Sequence, residues 1–253
     1  MNARYPLVLM FASTLLMGAC TQMIGSDTDT RIEASARDTY VYRTYLEDDD
    51  IKFEARDGIV TLTGTVAEES HKSLAQGTVE GLPGVKRVEN RLEVDGEMTE
   101  GNSDRWLKAK VKTSLWFHRS VSSETAVDVN EGVVTLRGTA SSQAQKDLTT
   151  EYAEDIEGVT GVNNEMTIAQ AGSAQDAETI GEVIDDASIT AQVELALAWN
   201  GSTSALRTET ETRDGVVTLT GEAANQAEKD LVSKLTRDIN GVKSVNNNMT
   251  VKA

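Results

Sequence analysis

Apolar residues recur four apart at Ile32, Ala36 and Tyr40, at Leu107, Val111 and Leu115, and at Ile189, Val193 and Leu197. That spacing predicts three amphipathic helices. After each helix the period changes to two, as in Val127 and Val129 or Thr208, Thr210 and Thr212, which predicts a strand. The pairs Asp57-Gly58, Glu131-Gly132 and Asp214-Gly215 then read as tight hairpin turns, with glycine supplying the positive φ. A second strand carries Val60 and Leu62, Val134 and Leu136, or Val217 and Leu219 on one face. A second helix follows; Ser142-x-x-Gln145 and Asn225-x-x-Glu228 have capping-box spacing at its start. A last strand alternates as Val162, Asn164, Met166 and Ile168.

These patterns are one unit written three times. Gly58 and Gly64, Gly132 and Gly138, and Gly215 and Gly221 bracket the same Val/Ile-Val-Thr-Leu strand. Gly84, Gly158 and Gly241 then follow at a constant distance, each with a Val after it and with Asn90, Asn164 or Asn247 further on. The order αββαβ predicts an α+β fold of three tandem repeats, each a small three-stranded sheet with both helices on one face. The repeats are expected at residues 28–98, 104–168 and 186–253, joined by Gly-, Ser- and acid-rich linkers at 99–103 and 169–185. Units of roughly 65 residues are marginally stable alone, so contacts between them are expected. Gly77, Gly81 and Pro83 interrupt the second helix of repeat 1, which makes that copy the weakest. The framework glycines serve backbone geometry, and Asn90, Asn164 and Asn247 are expected to hydrogen-bond the neighbouring turn. The run Asp48 to Asp50 has no EF-hand spacing and reads as a solvated turn.

Composition narrows the chemistry. With 24 Lys and Arg against 41 Asp and Glu in 253 residues, the net charge is −17, which argues against nucleic acid as a partner. Cys20 is the one cysteine and His71 and His118 the two histidines, too few for a disulfide or a Cys/His zinc site. Without a Ser-His-Asp set, a phosphate loop or a carboxylate pair in an identifiable cleft, no enzyme, cofactor or metal is expected. At the start, Arg4 precedes an apolar run from Leu7 to Leu16 that is short for a membrane span and ends in Leu-Met-Gly-Ala before Cys20. This resembles a bacterial lipoprotein signal, residues 1–19, with Cys20 as the lipid-attachment site and residues 20–27 as a polar tether. Thr21, where an Asp would retain the protein in the inner membrane, favours the outer membrane facing the periplasm. An ordinary secretory signal, leaving a soluble periplasmic protein, is the alternative.

The helix, the (Asp/Glu)-Gly-Val-Val-Thr-Leu-x-Gly hairpin, the second helix and Gly-Val-x-x-Val-x-Asn together resemble the BON domain, named for bacterial osmotic-stress and nodulation proteins. The resemblance covers residues 28 to 253 as three copies. It implies a non-catalytic envelope module linked to phospholipid membranes and osmotic shock. It also implies that a second copy's first helix binds anionic phospholipid, with Trp106 at the position of a membrane-inserted tryptophan. The better-known relatives carry two copies, so a third is a departure.

That helix is also singular in its own chemistry. Trp106, Trp116 and Phe117 fall opposite the stripe Leu107, Val111 and Leu115, away from the core. Arg105, Lys108, Lys110, Lys112 and Arg119 give residues 105 to 119 five positive charges and no negative one. Aromatics at headgroup depth beside Lys and Arg suit an interfacial helix on phosphatidylglycerol or cardiolipin. The competing reading is a seam in which Trp116 and Phe117 pack on a neighbouring copy, the chain serving as a scaffold for envelope proteins. The equivalent helices carry Asp185, Asp186 and Glu194 with Leu195 and Trp199 outside, or Tyr42 and Tyr45, faces that suit protein contacts better than an anionic bilayer.

Overall fold

A computed structural model describes residues 20–95, 103–121, 125–169, 184–203 and 208–252. In repeat 1, helix α1 (Cys20–Asp38) is followed by a π-helical turn (Tyr42–Leu46), strands β1 (Asp50–Arg56) and β2 (Ile59–Val66), helix α2 (Glu69–Glu80) and strand β3 (Arg87–Val94). Repeat 2 has α3 (Ser103–Phe117), β4 (Ala126–Asn130), β5 (Val133–Arg137), β6 (Thr139–Ala140), α4 (Gln143–Glu154), β7 (Gly161–Asn164) and β8 (Thr167–Ile168). Repeat 3 has α5 (Asp186–Trp199), β9 (Thr208–Arg213), β10 (Val216–Ala223), α6 (Gln226–Asp238), β11 (Ser244–Asn247) and β12 (Thr250–Val251). Within the described residues, helix α1 covers the stretch from Cys20 expected to be a polar tether. The signal segment 1–19 lies outside the described residues.

Each hairpin strand sits centrally, antiparallel to the strand before it and parallel to the strand after α2, α4 or α6. At the turns Asp57, Glu131 and Asp214 have φ of 54°, 50° and 51°, and the glycines after them are also positive. Two consecutive positive φ values define the two-residue turn that matches strand twist. At Gly64, where φ is 117°, a Cβ would stand 1.8 Å from the Asp50 carbonyl oxygen, so a side chain is excluded there. The last strand, expected to be continuous, is so only in repeat 1. In repeats 2 and 3 it is interrupted just before Thr167 and Thr250, although the buried residue after the Asn, Leu92, Met166 or Met249, donates its N–H to that Asn in all three.

The sheets bury one face only: β1 alternates exposed and buried through Ile51, Phe53 and Ala55. Both helices of each unit cover that face. The conserved geometry comes from two polar devices. Asn90, Asn164 and Asn247 each donate to a carbonyl of the second helix, that of Lys72, Lys146 or Lys229, rather than to a turn as expected. Asp29 within α1, and Asp104 and Asp186 at the starts of α3 and α5, each accept both N–H groups of the hairpin turn at 2.6–3.0 Å. The predicted caps form: Ser142 Oγ accepts from Gln145 N–H and Asn225 Oδ1 from Glu228 N–H.

Helix α5 lies at the centre of the assembly. Nine of its residues are buried, as befits a sequence apolar on every side. Against it packs α2, whose Gly77 and Gly81 face Ala191 and Ala187, with a Cβ at Gly81 only 3.1 Å from that of Ala187. These glycines, expected merely to interrupt the helix, are what let repeats 1 and 3 approach; α2 runs through Gly77 unbroken. Asp185 joins the same two repeats, capping α5 through Ser188 N–H while accepting Tyr40 N–H at 2.8 Å.

Candidate functional site at the first helix of repeat 2

Helix α3 has two buried sides. The expected stripe of Leu107, Val111 and Leu115 faces its own sheet, but Ala109, Lys110, Thr113, Ser114 and Phe117 are buried as well. The wheel reading is thereby corrected for Phe117, which is 0% exposed and cannot stand at a membrane surface in this arrangement. Trp106 and Trp116 are half-buried. Trp116 stacks on Tyr45 of repeat 1, with centroids 5.6 Å apart and rings 10° from parallel. Trp106 meets Trp199 of repeat 3 edge to face at 6.2 Å. Phe117 fills the space between Tyr45 and Trp199.

The cations divide similarly. Lys110 is buried, contrary to expectation, and donates to the Glu157 carbonyl at 3.1 Å. Burial pulls its pKa down, opposed by the Glu157 carboxylate. Lys108 stays exposed and pairs with Asp128 at 3.2 Å, holding that carboxyl below the usual range. Exposed Arg105 reaches the Asp95 carbonyl at 3.4 Å. Lys112 lies 4.6 Å above the Trp116 ring. Arg119 donates to the carbonyls of Ile239 and Val242, both at 2.7 Å, beyond the C-terminus of α6, where a helix favours positive charge. The structure thus brings seven of the eight sequence-predicted residues to one helix, with Arg119 two residues past its end, but not to one open face.

Beyond Phe117 the backbone itself joins repeats 2 and 3. His118 opposes Ile239 in an antiparallel bridge, with Arg119 N–H donating to the Asp238 carbonyl and Asn240 N–H to that of Phe117. Ile156 opposes Asn200 in a second bridge, with Glu157 N–H donating to the Trp199 carbonyl and Gly201 N–H to that of Asp155. In the repeat alignment Phe117 matches Trp199, His118 matches Asn200, and Ile156 matches Ile239. The two bridges are therefore one contact made twice, and repeats 2 and 3 form a pseudo-twofold pair. One side carries a cluster of titratable groups around Asp238. There Asp238 accepts from Tyr152 Oη at 2.7 Å and from Ser120 Oγ, while the buried His118 ring stacks on Tyr152 at 3.9 Å. Burial pushes the Asp238 carboxyl up, but contacts from His118, Ser120 and Tyr152 together hold it below its ordinary value. Burial and Asp238 push the Tyr152 phenol well up.

Among the described residues, no group of three or more His, Cys, Asp or Glu could hold a metal ion, and no helix is long and apolar enough to cross a membrane. What the arrangement offers is packing and hydrogen bonding between repeats. The turn clamp of Asp29, Asp104 and Asp186, the helix-end role of Arg119 and the meeting of Tyr45 with Trp116 escaped the sequence reading. The aspartates alone left a signal there, being the same residue type at the same place in every copy.

A triple αββαβ array with this glycine framework defines a class, and the family comparison agrees: the BON domain profile matches residues 28–96, 103–170 and 185–253, and the chain belongs to that family. It is 32% identical over 163 residues to Osmotically-inducible protein Y of Escherichia coli, a match covering 63% of this chain and 79% of the relative. It is 27% identical over 173 residues to the Outer membrane lipoprotein DolP of Haemophilus influenzae, covering 60% and 89%. Among solved structures, CdsD, a structural protein of the Chlamydia trachomatis type III secretion system, superposes with a TM-score of 0.24 at 17% identity, covering 89% of this chain and 92% of CdsD.

Proposed function

We propose that this chain is a non-catalytic module of the bacterial envelope, in which three BON repeats act as a single docking body for envelope proteins under osmotic stress. The kinship with an osmotically inducible protein and an outer-membrane lipoprotein supports the setting, and Cys20 would supply the lipid anchor that holds the body to the outer membrane. The observation that carries the docking reading is the burial of Phe117 between Tyr45 of repeat 1 and Trp199 of repeat 3. Half of the chemistry that would meet a bilayer is used to hold repeats together.

A second reading keeps anionic phospholipid as the partner, through what remains at the surface of α3. It is favoured by exposed Arg105 and Lys108 on the helix that also carries the half-buried Trp106 and Trp116. Co-sedimentation of the chain, with Cys20→Ser, on phosphatidylglycerol–cardiolipin and on purely phosphatidylcholine vesicles separates the two. Equal, negligible binding to both is expected of the docking body. Binding confined to the anionic vesicles, weakened by salt and lost in Arg105→Glu/Lys108→Glu, would establish the lipid reading instead.

A further inference from the structure

The contact between repeats 2 and 3 is self-complementary, and the groups that make it are mostly main-chain. Each side offers an aromatic ring at the end of its first helix (Phe117 or Trp199), that residue's carbonyl, and the N–H two residues on. Each also offers a carbonyl and an N–H flanking an isoleucine after its second helix, at Ile156 or Ile239. An isologous surface of this kind needs no particular chain connectivity; it needs only a second BON repeat bearing the same groups.

Repeat 1 does not bear them. Its counterpart of Glu157 and Asn240 is Pro83, which has no N–H to donate. Its counterpart of His118 and Asn200 is Arg43, which lies in the π-helical turn and donates its N–H to the Thr39 carbonyl. Tyr42, in the place of Phe117 and Trp199, packs on Phe53 of its own sheet. Repeat 1 joins the body by a different route, through Gly77, Gly81 and Tyr40. One chain therefore holds one competent pair of surfaces and one repeat closed to that mode.

We infer that the repeat 2–repeat 3 surface is a homotypic BON docking site, and that its occupant from outside the chain is a second copy: repeat 3 of one molecule seated on repeats 1 and 2 of another, and reciprocally. Every contact of the closed chain re-forms in the exchanged dimer, including Gly81 against Ala187, so exchange costs chiefly the advantage of being tethered. That advantage is an effective concentration on the order of millimolar for a short tether. Because the exchange is reciprocal and repeat 1 is closed by Pro83, both competent surfaces of each chain are occupied in the dimer and none is left for a third chain. This inference rests on the docking-body reading.

The test uses the three-repeat chain with Cys20→Ser and new cysteines at the bridge. Ile156 and Asn200 face each other as a non-hydrogen-bonded antiparallel pair, flanked by both bonds, which is suitable spacing for a disulfide. The double variant Ile156→Cys/Asn200→Cys, dilute and mildly oxidised, should close within the chain; failure to close would overturn the seam itself. Two differently tagged chains, one with Ile156→Cys and the other with Asn200→Cys, are then mixed at rising concentration. A mixed disulfide that shifts the species from monomer to dimer mass is expected. Replacing the first chain by Leu82→Cys, the counterpart in repeat 1, should give no such species. If the double variant closes but the mixed pair never links, or if Leu82→Cys links as readily, homotypic exchange is overturned while the seam stands.

Discussion

Phe117 and Trp199, which occupy the same position in repeats 2 and 3, stack on one another with centroids 6.4 Å apart and planes 14° from parallel. They sit where the pseudo-twofold relates the two repeats, and Phe117 is wholly buried there. Truncating either ring to alanine should destabilise the chain by about 3–5 kcal/mol. The double variant should cost less than the sum, by about 0.5–1.5 kcal/mol. Urea unfolding of the four species of this cycle measures both.

Gly77 within α2 and Gly81 at its C-cap should respond differently to the same change. A methyl at Gly77 meets Ala191 at an ordinary 3.4 Å, whereas one at Gly81 meets Ala187 at 3.1 Å and its Cα at 3.2 Å. Gly77→Ala should therefore be neutral or stabilising by up to about 1 kcal/mol, from helix propensity alone. Gly81→Ala should lower stability and loosen repeat 1 from repeat 3. Thermal unfolding and small-angle scattering of the two variants distinguish these outcomes.

The repeat and its turns were legible because they depend on local rules: glycine at positive φ, a period of two, a cap three residues before its partner. The failures at the contacts between repeats have one cause. A helical wheel drawn around one core stripe assumes one buried face, and α3 and α5 have more than one. Such a wheel puts Phe117 with Trp106 on a side that repeat 3 occupies, and leaves Lys110 a free charge. Gly77 and Gly81 looked like defects because the helix they admit, α5, is more than a hundred residues away in the chain. The all-round apolarity of α5 was the available clue to a central helix, and its Leu195 and Trp199 did point to protein contact.

Asp104 ties α3 to the hairpin turn of its own repeat, accepting from Glu131 and Gly132 N–H at 2.6 and 2.9 Å. Asp104→Ala removes both acceptors and should cost about 1–3 kcal/mol. Asn at this position keeps one acceptor oxygen and should recover part of the loss. Denaturation midpoints, with amide exchange at Glu131 and Gly132, check this.

Acid should weaken the seam through Asp238. Its carboxyl is held below the ordinary value in the folded chain. Its contribution is then fully present above the unfolded value of about 3.9 and is lost as pH falls through the folded one. Stability should drop below about pH 4, and Asp238→Asn should flatten that part of the profile. Urea midpoints between pH 6 and 2 for both chains would show it; identical slopes would remove Asp238 from the explanation.

Whether the repeats form one body is decided most directly by hydrogen exchange at the four N–H groups of the two bridges, those of Arg119, Glu157, Gly201 and Asn240. If repeats 2 and 3 are paired as described, these four exchange slowly and together, near the rate of the core amides of β5 and β10. Exchange at loop rates at all four, with β5 and β10 still protected, would mean that the repeats stand apart and that the aromatic face of α3 is open to other partners.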